Sequence, residues 1–270
     1  MKSSVLELAV GGLPFPHGGV HGDWCYRHVV RHEGPSELDY QVVTDFFAYE
    51  AAHDRPVHVI ADPSLSDWET WHAPAVRPHP GAFATQCCSH AYRDGCTAAL
   101  VCHGTPPSAA SRILADGALR PATEVTGRAA TRLTATSTWG QPADYFDHVT
   151  FANGRCTAPE AVAYSRTLSR DLVPADLRPG YPPAVRFYFA WDTLARRPDA
   201  RFDGVHPVKI QGELLLDDAL VAIVVHASQR RSITAVTERR FEDRIAILDA
   251  RQPRPEDWAT AALTAADQLV

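Results

Sequence analysis

After residue 97 the apolar residues of this chain come in runs too short for a helical bundle. AALVC (98–102), VRFYFAW (185–191), ELLL (213–216), ALVAIVV (219–225) and AILDA (246–250) each hold four to seven residues. Runs of that length bounded by turn formers suit buried strands, and the aromatic residues of the second strengthen the assignment. The 21 prolines and 16 glycines among 270 residues enforce frequent turns. Three helices fit between the strands. One runs from Pro107 to Leu114 with Gly117 just past its end, one from Ala158 to Leu168 with Pro159 in its first turn, and one from Trp258 to Leu269. Short strands with a few helices define an α+β domain.

The first third reads differently, so the expected division is an N-terminal extension over 1–96 and a main domain over 97–270. Residues 1–35 are rich in turn formers, as in GGLPFPHGGVHGD. Ser36 is placed to cap a helix reaching Ala52, because Leu38, Val42, Phe46 and Tyr49 recur at helical spacing. PVHVIA (56–61) alternates toward a strand, and 62–96 shows no period. The short apolar stretch Val5 to Val10 is too brief for a signal peptide, and no run approaches the roughly 18 residues of a membrane span. A net charge of −6 excludes a global basic field for nucleic acid. These features read as a cytoplasmic protein with no membrane partner and six reduced cysteines.

Two features carry chemistry. His103-Gly104-Thr105 directly follows the AALVC run, which sets an imidazole and a bare glycine at the rim of a sheet. Glycine there lets a flat ligand approach the main chain. Glu213 opens the ELLL run. A carboxylate at that position is either a solvated strand start or, facing a cleft, a charge with a task. Each feature alone also fits an ordinary strand end.

Their surroundings add a resemblance. HGTPPSAASRILADGALRP is similar to the first NAD-binding motif of diphtheria-toxin-type ADP-ribosyltransferases, a group that includes poly-ADP-ribose polymerases, tRNA 2′-phosphotransferases and DarT-type enzymes. HVTFANGRCTAPEAVAY looks like the middle motif, and KIQGELLLDDALVAIVV resembles the third. The resemblance covers about residues 97–226. It implies a split antiparallel β-sheet core with short helices, NAD⁺ as co-substrate, and cleavage of the nicotinamide–ribose bond with transfer of ADP-ribose. His103 would bind a ribose hydroxyl with Thr105 supporting it, and the Gly104 backbone would pair with the nicotinamide amide. Phe151 or Tyr164 would stack on the nicotinamide ring. Arg128, Arg132 and Arg155 are candidate pyrophosphate clamps. Glu213 would hold the nicotinamide ribose and stabilise its oxocarbenium character, or act as base toward the acceptor. The sequence departs from the polymerase pattern at Thr150, which stands in place of a tyrosine, and Gln211 lies two residues before Glu213. The acceptor stays open among a nucleobase or nucleic acid, a protein and a small molecule. Water as acceptor would make the protein an NAD⁺ glycohydrolase.

A third reading comes from the N-terminal third. His17, His21, Cys25, His28 and His32 stand at helix-like spacings that suit zinc, and Cys87, Cys88 and His90 would add ligands. A metal-stabilised binding module is the corresponding alternative, although no metal ligand set is assigned. Arg230, Arg231, Arg239, Arg240 and Arg244 interleave with Glu238, Glu242 and Asp243, which reads as a salt-bridged surface. Trp139, Tyr145 and Phe146 fall in an expected loop, lining an acceptor site or packing in the core.

Overall fold

The computed structural model describes residues 4–10, 25–30, 32, 34–35, 37–52, 54–71, 100–130, 132–133, 143–170, 172–173, 175–176, 178–201, 203, 206–251 and 253–270. Within them the chain is α+β, with four small sheets.

The first sheet lies in the N-terminal third. Strands β1 (Ser4–Val10), β2 (Cys25–Val30) and β3 (Val57–Ala61) pair in parallel in the order β2-β1-β3. Helix α1 (Glu37–Ala52) connects β2 to β3. The loop-rich reading of 1–35 is therefore corrected at two places. Ser4, Leu6 and Leu8 alternate inward along β1, the period of a half-buried strand. Phe46, Val43, Trp71 and Val30 join Leu6 and Leu8 in one apolar cluster. Ser36 lies outside the described residues, so its capping role is not seen.

The main sheet has the order β13-β12-β8-β4-β7. It is built from β4 (Leu100–Thr105), β7 (Ala152–Asn153), β8 (Val185–Ala190), β12 (Leu220–His226) and β13 (Ile245–Leu248). One face carries Val101, Phe187, Phe189, Ile223 and Val225 into the largest apolar cluster. The other carries Cys102, Tyr188, Ala222 and Val224 against the terminal helix Pro255–Asp267 through Trp258 and Ala262. Residues 98–99 of the AALVC run lie outside the described residues.

A second sheet, β6-β10-β9, combines β6 (His148–Thr150), β9 (Ala200–Arg201) and β10 (Lys209–Gln211). Strands β6 and β7 are separated only by Phe151, yet they belong to different sheets: β6 pairs with β10, and β7 with β4. The sheet system is thus split at Phe151. Strand β11 (Leu214–Leu215) pairs with β5 (Ala118–Leu119). The expected strand 213–216 is shorter than its apolar run, because Leu216–Ala219 forms a helical turn before β12.

The N-terminal layer is joined to the second sheet by a buried cation. Lys209 Nζ rests 3.7 Å from the centre of the Tyr49 ring, donates to its hydroxyl, and lies 3.1 Å from Asp203. His206 Nδ1 meets the same Asp203 oxygen, Oδ2, at 2.7 Å, and the His206 N–H donates to Oδ1. Burial alone would raise Asp203, but the Lys209 and His206 charges outweigh it and hold the carboxyl far below its ordinary range.

Candidate functional site

Strand β4 positions the first half of the site. The expectation that His103-Gly104-Thr105 follows a strand is corrected: the triplet lies inside β4, opposite Phe187, Arg186 and Val185 of β8. Backbone groups alternate from side to side along a strand. The Leu100 carbonyl accepts the Gly154 N–H at 3.2 Å on the β7 side, so Cys102 and Gly104 direct their main-chain groups to that side too. Pairing with β7 ends at Cys102 opposite Ala152. In the same register Thr150 would face Gly104; on its other edge Thr150 lies opposite Lys209 of the second sheet, and its carbonyl meets His103 Nδ1. Gly104 lies past the last β4–β7 pair, so its N–H and C=O point to the place where β7 gives way to β6.

The reason for glycine differs from the expected one. A Cβ at residue 104 would lie 2.5 Å from Cβ of Pro159. The bare face of Gly104 is filled by the first turn of the helix Ala158–Leu168, not by a ligand; only the groups in the sheet plane face the split. That helix is pinned by a buried ion pair. Glu160 Oε1 accepts from Arg186 Nε at 2.7 Å, and Glu160 Oε2 accepts from Tyr181 and from the Ala184 N–H. Arg186 also donates to the Gly154 and Cys156 carbonyls at 3.0 and 2.7 Å. A buried pair needs such saturation to offset its desolvation.

His103 is partly buried, and its Nδ1 lies 3.1 Å from the Thr150 carbonyl. Burial lowers its pKa to about 4, against the Thr150 bond, and the Arg166 charge pushes the same way as burial. The ring is therefore neutral at pH 7. A carbonyl only accepts, so Nδ1 carries the proton and Nε2 is the acceptor. The support for His103 comes from Thr150 rather than from Thr105, which is buried in the β4–β8 pairing.

Phe151 is corrected to a core residue. It is 1% exposed and packs edge-on against Phe189 at 5.2 Å and against His103 at 6.2 Å. Tyr164 is partly exposed, with its ring 6.3 Å from that of Tyr181. Arg128 is exposed on the turn after the helix Ala122–Thr126. Arg155 is also exposed, and its charge acts on Asp267 of the terminal helix. Arg166, two residues after Tyr164, was not singled out by the sequence, yet its field reaches His103.

Glu213 forms the second half. Gly212 turns the chain at φ +81, a backbone conformation that favours glycine. Beyond it Leu214 lies opposite Leu119, so the same register sets Glu213 opposite Arg120. Arg120 Nε donates to Glu213 Oε2 at 2.5 Å, and its Nη1 to Asp116 at 2.9 Å. The Glu213 side chain is 40% exposed. Arg120 carried no signal in the sequence, since its partner is 93 residues away. Strand β10 links the two halves: Lys209 lies opposite Thr150, and Gln211, two residues before Glu213, lies opposite His148. Gln211 Oε1 accepts from Arg201 at 2.9 Å.

The N-terminal histidines take another form. His28 lies on a strand, not a helix, and its Nε2 meets Asp39 at 2.7 Å in the interior. His17, His21, Cys87, Cys88, His90 and Trp139 lie outside the described residues. Among the described residues no three His, Cys, Asp or Glu side chains are grouped to hold a metal ion. In the basic segment Arg240 meets Asp217 and Glu238, and Arg244 donates to the Leu220 carbonyl. No described helix is long and apolar enough to cross a membrane.

Comparisons with protein-family models, curated proteins and solved structures return no match to this chain.

Proposed function

We propose that the domain over 97–270 has the split-sheet core of an ADP-ribosyltransferase, binds NAD⁺ across the split, and transfers ADP-ribose to an acceptor. The observation that carries this reading is the edge at Gly104. Its in-plane N–H and C=O match the acceptor and donor of a carboxamide, as nicotinamide presents. Beside it, the neutral His103 offers Nε2 to a ribose hydroxyl. Tyr164 and Arg166, on the helix that packs on Gly104, supply a ring for stacking and a cation for phosphate.

Glu213 supplies the charge this chemistry needs. As the bond from ribose C1′ to the nicotinamide nitrogen breaks, its electron pair leaves with nicotinamide and positive charge grows on the sugar. A fixed carboxylate beside that sugar stabilises the charge. The acceptor then bonds to C1′ and loses its proton, to Glu213 or to solvent. The 40% exposure of Glu213 also favours the hydrolytic reading, in which water is the acceptor.

The test is incubation with NAD⁺ while free nicotinamide is measured, alone and with single-stranded DNA, RNA or protein present. Nicotinamide release with ADP-ribose on an acceptor supports transfer. Release to free ADP-ribose alone supports the glycohydrolase. No release under any condition removes both readings.

A further inference from the structure

Arg120 stands where the proposed chemistry least tolerates a cation. Glu213 must present negative charge to a sugar that turns positive, and the nicotinamide ring of NAD⁺ is itself cationic. Yet a guanidinium is bonded to that carboxylate at 2.5 Å. The β5–β11 register holds the two residues opposite each other, so the encounter is built into the sheet. Arg120 also has a second seat, for its Nη1 already donates to Asp116 at 2.9 Å, one helical turn earlier in the chain.

We infer that Arg120 is a positioning residue that gates the site: it neutralises Glu213 in the free protein and moves to Asp116 when the cationic nicotinamide end of NAD⁺ arrives. The inference rests on the NAD⁺ reading of the site. Both partners are more than one third exposed, at 37% and 40%. An ion pair so open to water is worth little, which is the property a gate requires. Repulsion between Arg120 and the cationic ring drives the exchange, and Asp116 keeps the displaced guanidinium paired. The exchange is completed before bond breaking, so its cost falls on substrate binding rather than on the chemical step.

Three exposed substitutions separate this role from a structural one, with nicotinamide release from NAD⁺ as the assay. Arg120→Gln lowers KM for NAD⁺ by roughly two- to fivefold and leaves kcat unchanged. Asp116→Asn removes the second seat and raises KM by a similar factor. Arg120→Lys keeps a cation at Glu213 and stays near the wild-type KM. Equilibrium binding adds a readout independent of turnover: Arg120→Gln tightens NAD⁺ but not NADH, whose dihydronicotinamide ring is uncharged. A fall in kcat for Arg120→Gln would show that Arg120 aligns Glu213, and the gate is overturned. Equal effects on NAD⁺ and NADH, or no change in KM, overturn it as well. A wild-type protein that neither binds NAD⁺ nor releases nicotinamide defeats the cofactor reading itself, and the gate with it. Turnover by the wild type with an unresponsive Arg120→Gln defeats the gate alone.

Discussion

The Nδ1 of His103 lies 3.1 Å from the Thr150 carbonyl, across the point where the two sheets part. Thr150 sits in the second sheet and His103 in the main one, so this bond spans the split. It also sets the tautomer, with the proton on Nδ1 and the lone pair on Nε2.

The pH dependence of cofactor binding follows from that bond and from burial. His103 titrates near 4 rather than near its ordinary 6.5. NAD⁺ affinity is therefore expected to stay level from pH 8 to about 5 and to weaken only toward pH 4, as measured by calorimetry. A loss centred near 6.5 would place His103 outside the binding site or out of its buried setting. The stability term has a definite sign. The folded pKa lies below the unfolded one, so the contribution is complete above 6.5 and is lost as pH falls toward 4.

Glu213→Gln keeps the shape of the side chain and removes its charge. Nicotinamide release is expected to fall by about two to three orders of magnitude, the loss typical of a removed electrostatic partner of the transition state. NAD⁺ affinity is expected to stay within a few fold. Single-turnover kinetics with a binding isotherm checks both, and undiminished turnover would exclude Glu213 from the chemistry.

Gly104→Ala sets a methyl group 2.5 Å from Pro159 Cβ. Relief requires the helix Ala158–Leu168 to shift off β4, and overpacking of this kind costs about 1–3 kcal/mol. Urea denaturation is expected to show that loss, with weakened NAD⁺ binding because Tyr164 and Arg166 ride on the same helix.

Asp203→Asn leaves Lys209 buried beneath Tyr49 without its carboxylate. Removing one partner of a buried pair costs on the order of 3–5 kcal/mol. The double change Asp203→Asn with Lys209→Met is expected to be less destabilising than the single one. A double loss equal to the sum of the separate Asp203→Asn and Lys209→Met losses would show that Asp203 and Lys209 are not coupled.

Parts of this architecture were legible because they depend on neighbours in the chain. Pro107 and Pro159 mark helix starts through their fixed φ and missing N–H, and both helices begin there. VRFYFAW and ALVAIVV became the central strands β8 and β12. Strands β1 and β2 were hidden because turn formers in 11–24 dominate that composition, while the alternation of Leu6 and Leu8 spans only a few residues. For Phe151, an apolar ring in a motif looks the same whether it faces a ligand or the core; burial separates the two.

Residue order along the chain carried the α+β class, the short-strand pattern after residue 97, and His103 and Glu213 as the residues to watch. Those are local matters of period, turn chemistry and residue type. What those residues face is set by long-range packing. Sheet register, which joins positions far apart in the chain, set Arg120 against Glu213 and left the Gly104 main chain at the split. It also packed Pro159 where a ligand was expected and set Thr150 beneath His103. Each of these is a relation between strands, and a strand carries no record in its own residues of which neighbour it will meet.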